Sequence, residues 1–528
     1  MFMPQSAPLA KIVALSTARR RVRRVMAVRK AKIPPAAPPR SLCVIGAGLG
    51  GLALALRMQG LGHAVTLVEA RPEPGGLIRR IAAGAQHFEE GPGDLGDLAP
   101  WRDLAAAAGC TIDDLATLRE ITPAWRFYWR DTPAFDLTAD SAEMARQLGR
   151  LAPHDIAGFE ELQRWYDAAR GDAWQRLAET PPDRPMQVLA AVQPVLRAQG
   201  WRSAWGLVSH LIESEPLREA LAFPALLSGA NPFATSALTL LGQSPPGRPA
   251  WWPLGGMSAL MGKLMARFEA LGGKVRLHDP VTELELVGNR VSAVVTQSGW
   301  REHFAAVASN ADVVHTYRDL LRRSTRGGQV AKRLARRRYA PSALTVHFAL
   351  AGTWPGVPHN SVLFAARFKE LLADVFDAGV LPQDGLILLH HPSVTDPALA
   401  PEGTSLFRAT LPVAHLGKFP VDWEALAPLV AGRVLDEVGR RLIPDIHDRI
   451  VAQAVTTPRD MALDLGLHLG SGWSLEATPL QALQRPPHRD PKLANFYLVG
   501  AATHHGAGVA AVLAGAKAAA TQITRDHP

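Results

Sequence analysis

Apolar and polar positions change period several times along the chain, and each change predicts an element. Residues 42–45 are a short apolar run, read as a strand. Gly46, Gly48 and Gly51 follow, and apolar residues then recur at helical spacing as far as Leu61. A second apolar strand, 65–68, ends at Glu69. From 137 to about 221 the period is mainly helical, until Asn231, Pro232 and Phe233 break it. A punctuated loop at 245–256 precedes a clean helical pattern over 258–271, which Gly272 and Gly273 stop. Short strands are predicted at 275–277, 281–286, 291–296 and 304–309, and further apolar strands at 344–350, 386–391 and 405–411. Helices are predicted between them, at 364–376 and 423–443. The last unit is a strand at 495–499, a turn at Gly500, and a helix rich in Ala and Gly that begins at Gly508 and Val509.

This order predicts an α/β protein without internal repeats. At 528 residues the chain exceeds one core, so two or three intertwined domains are expected. The expected boundaries are 41–136 for the first part of a nucleotide-binding domain, 137–255 for a largely helical insertion and 256–315 for a return to the nucleotide-binding domain. A mixed-sheet domain follows at 316–480, and the C-terminal strand and helix at 481–528. A composition with 47% hydrophobic and 20% charged residues is globular.

Charge alters the picture at one place. Residues 1–40 hold ten Lys/Arg and no Asp/Glu, so the other 488 hold 47 basic and 48 acidic residues, a balance of −1. The net +9 is therefore a basic, proline-containing tail, expected to be disordered and dispensable for folding. It is not a nucleic-acid footprint, and no nucleic acid is expected as a partner. The tail lacks the order of a secretory signal, and no run reaches the length of a spanning helix. Cys43 and Cys110 alone suggest neither a disulfide scaffold nor a metal-thiolate site, so no metal is expected and a reducing cytoplasm is the default.

The chemistry starts with the first strand, helix and strand. Gly46 permits a tight turn, Gly48 lets a pyrophosphate approach the backbone, and Gly51 lets the helix pack on the sheet. The helix N-terminus offers free N–H groups to an anion. Glu69, about 20 residues on, is placed to accept hydrogen bonds from a ribose and would repel a 2′-phosphate. NAD and FAD both fit this unit. A second anion-ready helix start at residues 506–508 suits a long cofactor gripped along its length, which favours FAD.

The segments GAGLGGLALALRMQGLGHAVTLVEARPEPGG, GANPFATSAL, WWPLGG, VASNADVVHTYRDLL, VTDPALAPEG, HLGSGWSLE, PPHRD and NFYLVGAATHHGAGVAAVLAGAKAAA run in order between about residues 42 and 521. In them the chain resembles the bacterial phytoene desaturases, FAD-dependent carotenoid desaturases of the amine-oxidase-like flavoprotein group. The resemblance implies a Rossmann-like FAD-binding domain, an interleaved mixed-sheet substrate domain and a helical insertion that associates with membrane. It implies non-covalent FAD held by Gly46, Gly48, Gly51, Glu69 and Gly76, and by Gly500, Gly508 and Val509. The implied substrate is a C40 polyene, phytoene, dehydrogenated successively toward neurosporene or lycopene. Peripheral attachment to the lipid surface of the inner membrane is implied as well.

The residues offer matching chemistry. Removing two hydrogens from a hydrocarbon needs a hydride acceptor, which a cofactor must supply. A substrate without polar handles calls for a long apolar channel. Thirteen Trp can line one, with Trp125, Trp129, Trp165, Trp201, Trp205, Trp251 and Trp252 in or beside the insertion. His504, biased toward neutral beside a helix start, and Glu90 are the candidates for taking the proton. Where the family carries Arg after its Gly-Gly pair, this chain has Leu77. Arg79 lies on the same side of an extended strand and is expected to reach the cofactor phosphate instead, while Arg80 points away. Gln187 and Ala190 stand where some members carry Asp and Arg. Oxygen or a membrane quinone is the expected electron acceptor, since no second dinucleotide unit is evident. The alternatives are a flavin oxidoreductase acting on another carotenoid or a retinoid, and a non-catalytic carotenoid- or lipid-binding homologue.

Overall fold

The computed structural model describes residues 41–170 and 192–527. The basic tail, Gln187 and Ala190 lie outside the described residues.

Ser41–Ile45 is buried at every position, because it is the centre of a five-stranded parallel sheet covered on both faces. Across the sheet the order is Phe496–Leu498, Ala306–Ser309, Ser41–Ile45, Ala64–Val68 and Lys274–Arg276. Val44 pairs with Leu67 on one side and Ala308 on the other. One face carries the helix Leu49–Gly60, which packs on the C-terminal helix Val509–Asp526. Both are rich in small residues, and the approach is close: a Cβ on Gly50 would lie 3.1 Å from Val512 Cγ1.

The second layer is a seven-stranded mixed sheet. Its order is Ile450–Thr456, Ser342–Ala351, Thr404–Val413, Ile387–His390, Asn360–Leu363, Trp125–Tyr128 and Phe135–Leu137. Ser342–Ala351 pairs along its whole length with Thr404–Val413, and period two divides its side chains. Leu344, Val346, Phe348 and Leu350 pack with Trp423, Val430 and Val434 of the helix Trp423–Arg441. His347 and Ala349 turn the other way, toward the hairpin Arg79–Ala83/Gln86–Glu90. The helices Ser141–Leu151, Ile156–Ala169, Ala204–Leu211 and Glu215–Ala222 form a third core with Phe127, Phe135, Phe364 and Phe368.

Four local expectations change. The loop read at 245–256 contains a strand, Ala250–Pro253, paired antiparallel with Leu118–Ile121 and burying Trp252. The stretch 88–101, whose crowded acidic and glycine residues read as loop, gives Phe88–Glu90 to the hairpin Arg79–Ala83/Gln86–Glu90. The helix expected from Phe364 begins at Phe368, because Phe364 leaves the strand Asn360–Leu363 to stack on Trp129. Ile450–Thr456 is a half-exposed edge strand whose weak alternation gave no signal. Among the described residues no helix is long and apolar enough to cross a membrane, and no cluster of His, Cys, Asp and Glu could hold a metal.

Candidate functional site

The crevice lies at the C-terminal ends of the parallel strands, where open α/β sheets bind ligands. Gly46 leaves Ser41–Ile45 at φ +91° and donates its N–H to Val68 O at 2.7 Å. Gly48 caps the helix, and a Cβ on Gly51 would sit 2.0 Å from Gly46 O, so only glycine closes this turn. Asn310 enters from the end of Ala306–Ser309, with its N–H bonded to Ile45 O at 2.8 Å. Three glycines make room for its side-chain amide. A Cβ on Gly48, Gly50 or Gly500 would fall 2.6–2.8 Å from Asn310 Nδ2 or Oδ1. Among the described residues no protein group bonds that amide, which is half-exposed at the mouth of the turn.

Glu69 closes one side. It is 7% exposed, and its carboxylate accepts the N–H groups of Ala47 at 2.5 Å and Arg71 at 2.9 Å. Two of about four lone-pair positions therefore remain for a ligand. Gly76, at φ +63°, lies over Gly48; its Cβ would be 3.2 Å from Gly48 Cα. On the other side Gly500 and Gly508 adopt φ +103° and +102°, and Val509 opens the C-terminal helix. The helical insertion reaches this helix start, where a Cβ on Gly508 would lie 3.1 Å from Ser228 Oγ.

One buried guanidinium stands beside the loop between Gly500 and Gly508. Arg485 is buried and donates to Ala501 O and Leu475 O, both at 2.8 Å, with no carboxylate partner among the described residues. Burial pulls its guanidinium down to about 10. His488 Nδ1–H donates to Leu498 O (3.1 Å), and the imidazole is pushed down to about 4 by burial and then by His505. His504 is pushed to about 3, by burial first and then by His505, His488 and Arg485. Buried charge of one sign without a counter-ion is costly, so an anion belongs here.

Arg79 and Glu90 come together in a separate cluster. Arg79 Nε bonds Glu90 Oε2 at 2.6 Å, and Arg79 Nη1 reaches Asp464 at 3.2 Å. The other Glu90 oxygen is 3.9 Å from His347 Nε2, and that imidazole is pushed to about 3 by burial, Arg408 and Arg79. Arg80 points outward to Glu89, whose other oxygen accepts Ser258 N–H at 2.9 Å at the start of Gly256–Ala270. The two candidate proton acceptors thus sit in different clusters, Glu90 against Arg79 and His504 beside His505 (ring centroids 5.3 Å apart). Of the expected channel tryptophans, Trp165 and Trp252 are core, while Trp201 is 64% exposed.

The family model for flavin containing amine oxidoreductases matches residues 49–524. A lycopene-forming phytoene desaturase of Pseudescherichia vulneris is 37% identical over 485 residues, covering 92% of this chain and 99% of the relative. The chain belongs to the bacterial phytoene desaturase family. A neurosporene-forming phytoene desaturase of Cereibacter sphaeroides is 32% identical over 502 residues, covering 94% and 96% of the two chains. Cyclohexylamine oxidase from Brevibacterium oxydans shares the fold, with a TM-score of 0.57 at 15% identity over 93% of this chain and 99% of its own.

FAD is the cofactor of this flavoprotein family, and the residues present fit it. The glycine turn admits a diphosphate, Glu69 retains acceptor positions for a ribose, and Arg485 lacks a counter-anion. Asn310 and Arg485 were missed by sequence reasoning. Asn310 carried a signal in being the first polar residue after a buried strand. Arg485 carried none, because its contacts come from two irregular loop stretches, at Leu475 and at Ala501.

Proposed function

We propose that the protein is an FAD-dependent phytoene desaturase, dehydrogenating phytoene successively toward neurosporene or lycopene. One observation carries the reading: a glycine cradle and a second anion-ready helix start lie in a chain colinear with a phytoene desaturase over 99% of that protein's length. Bound FAD supplies the hydride acceptor that no side chain can be. Gly46, Gly48, Gly51 and Asn310 would hold the diphosphate, Glu69 the ribose, and Gly500, Gly508 and Val509 the remainder, with Gly76 closing over the turn. The proposed division assigns the cofactor to 41–136, 256–315 and 481–528, and the polyene to 316–480 and the insertion 137–255.

Each desaturation removes one hydride and one proton. Loss of hydride from an allylic carbon makes the neighbouring C–H strongly acidic, so a weak base suffices. His504, neutral down to about pH 3, meets that need. Glu90, with one oxygen on Arg79, is the second candidate and would stabilise cationic character through its charge. The polyene would be drawn from the inner membrane, with the protein attached peripherally on the cytoplasmic side, and electrons would pass on to oxygen or a quinone.

Co-expression with a phytoene source tests the reading. The expected outcome is a coloured polyene with neurosporene or lycopene absorbance and mass. Flavin-loaded, soluble protein with colourless phytoene unchanged would overturn it, and conversion of a different carotenoid or a retinoid would replace the substrate.

A further inference from the structure

We propose that the outer face of the helix Thr325–Leu334, with the turn after it, docks on an anionic bilayer surface. The proposal rests on the reading that the substrate is a membrane-dissolved polyene. Between Arg318 and Arg338 stand nine basic residues and one acidic residue, Asp319. Five of the nine have a carboxylate partner in space. Arg318 pairs with Asp319, Arg322 and Arg323 share Glu283, Arg326 pairs with Asp490, and Arg338 with Glu476 and Asp377. The other four, Lys332, Arg333, Arg336 and Arg337, have no carboxylate partner among the described residues.

Those four and Gln329 line one open groove of about 510 Å³. Positions 329, 332 and 333 share one face of the helix by its repeat, and Arg336 and Arg337 of the following turn continue the same groove. The opposite stripe, Val330, Ala331 and Leu334, is buried in the core and anchors the helix. Residues 41–528, which balance to −1 in total, thus concentrate four unpaired cations on one face.

The chemistry selects among polyanions. The flanking aromatics Tyr317 and Tyr339 are buried, so the face offers no stacking platform for bases. It also offers no large exposed apolar residue to insert, which leaves attraction to phosphate headgroups as the mode of contact. A hydrocarbon substrate gives the enzyme a reason to stay at that surface.

Each Lys or Arg near an anionic leaflet adds roughly fivefold to partition at moderate ionic strength, so four are worth several hundredfold. The test compares the full chain with a variant carrying Lys332→Gln, Arg333→Gln, Arg336→Gln and Arg337→Gln. A charge-matched control carries Arg146→Gln, Arg164→Gln, Lys263→Gln and Lys274→Gln, all at exposed positions. Co-sedimentation uses vesicles of phosphatidylcholine alone or with phosphatidylglycerol. The expected result is binding to the phosphatidylglycerol vesicles that is weakened by salt, lost several hundredfold in the first variant and kept in the control. Equal binding by all three proteins overturns the proposal, and so does a loss that appears with single-stranded RNA but not with vesicles. Turnover of detergent-dispersed phytoene is measured alongside. Failure of the desaturase reading appears there, in the unaltered chain, independently of the vesicle result.

Discussion

Arg79 is held so firmly by Glu90 that its loss would be felt first as stability. Both side chains are under a tenth exposed, and removing one partner of a buried pair strands the other charge at a cost of about 3 kcal/mol. Arg79→Ala should therefore lower the urea midpoint clearly, whereas Arg80→Ala, on a side chain 49% exposed, should shift it by less than ~1 kcal/mol. The double change Arg79→Met with Glu90→Gln separates the two roles expected of Arg79. If the arginine only braces the hairpin, the double variant regains stability and binds FAD like the parent in a titration of apo-protein. Weak FAD binding at restored stability would instead place Arg79 on the cofactor. Leu77 lies beside Gly472, where an added Cβ would fall 3.6 Å from Leu77 Cδ2.

At the scale of elements, Glu89 joins two of them: it belongs to the hairpin and satisfies an N–H at the start of Gly256–Ala270. A Cβ on Gly256 would come within 2.7 Å of its carboxyl carbon, so the helix is opened by two glycines to admit this cap. Glu89→Ala should cost about 1–2 kcal/mol in thermal or urea unfolding. An unchanged midpoint would show that water replaces the carboxylate. Elements of this kind mark the limit of sequence reading. The first strand, helix and strand were legible because Gly46, Gly48, Gly51 and Glu69 are spaced by local geometry. Ala250–Pro253 was not, since its partner Leu118–Ile121 lies over a hundred residues away and its prolines and glycines look like loop. The cluster around Arg485 was illegible for another reason: its contacts at Leu475 and Ala501 are near in sequence but are set by irregular loops, which have no period to read. The basic run from Arg318 to Arg338 stands in the sequence, but which of its cations stay unpaired is set by Glu283, Asp377, Glu476 and Asp490, which the fold brings in from elsewhere.

Across the whole molecule, buried neutral histidines set the response to acid. His347, His359 and His504 are pushed to about 3, His391, His415 and His488 to about 4, and His390 well below its ordinary value, in every case by burial first. A histidine depressed in the fold takes up protons on unfolding, so stability is full above about pH 6.5 and falls as pH drops toward 4, by up to ~1.4 kcal/mol per pH unit for each. Asp94, raised to about 6, and Glu219, raised to about 7, oppose this by protonating in the fold first. Seven histidines outweigh two carboxyls, so the urea midpoint should fall between about pH 7 and pH 5. A midpoint that held or rose would mean that these imidazoles are not neutral in the fold. The cofactor sheet has a consequence of another kind. Its central strand is Ser41–Ile45 and one edge is Phe496–Leu498, so the sheet joins the first described residues to nearly the last. On a ribosome adding ~5–20 residues per second, the early strand waits roughly half a minute to a minute and a half for that edge. Meanwhile Ala306–Ser309 is an unpaired border open to other nascent chains, and chaperones have their opportunity then. FAD cannot be gripped from both sides until translation is all but over, so the flavin content of a culture counts finished polypeptides.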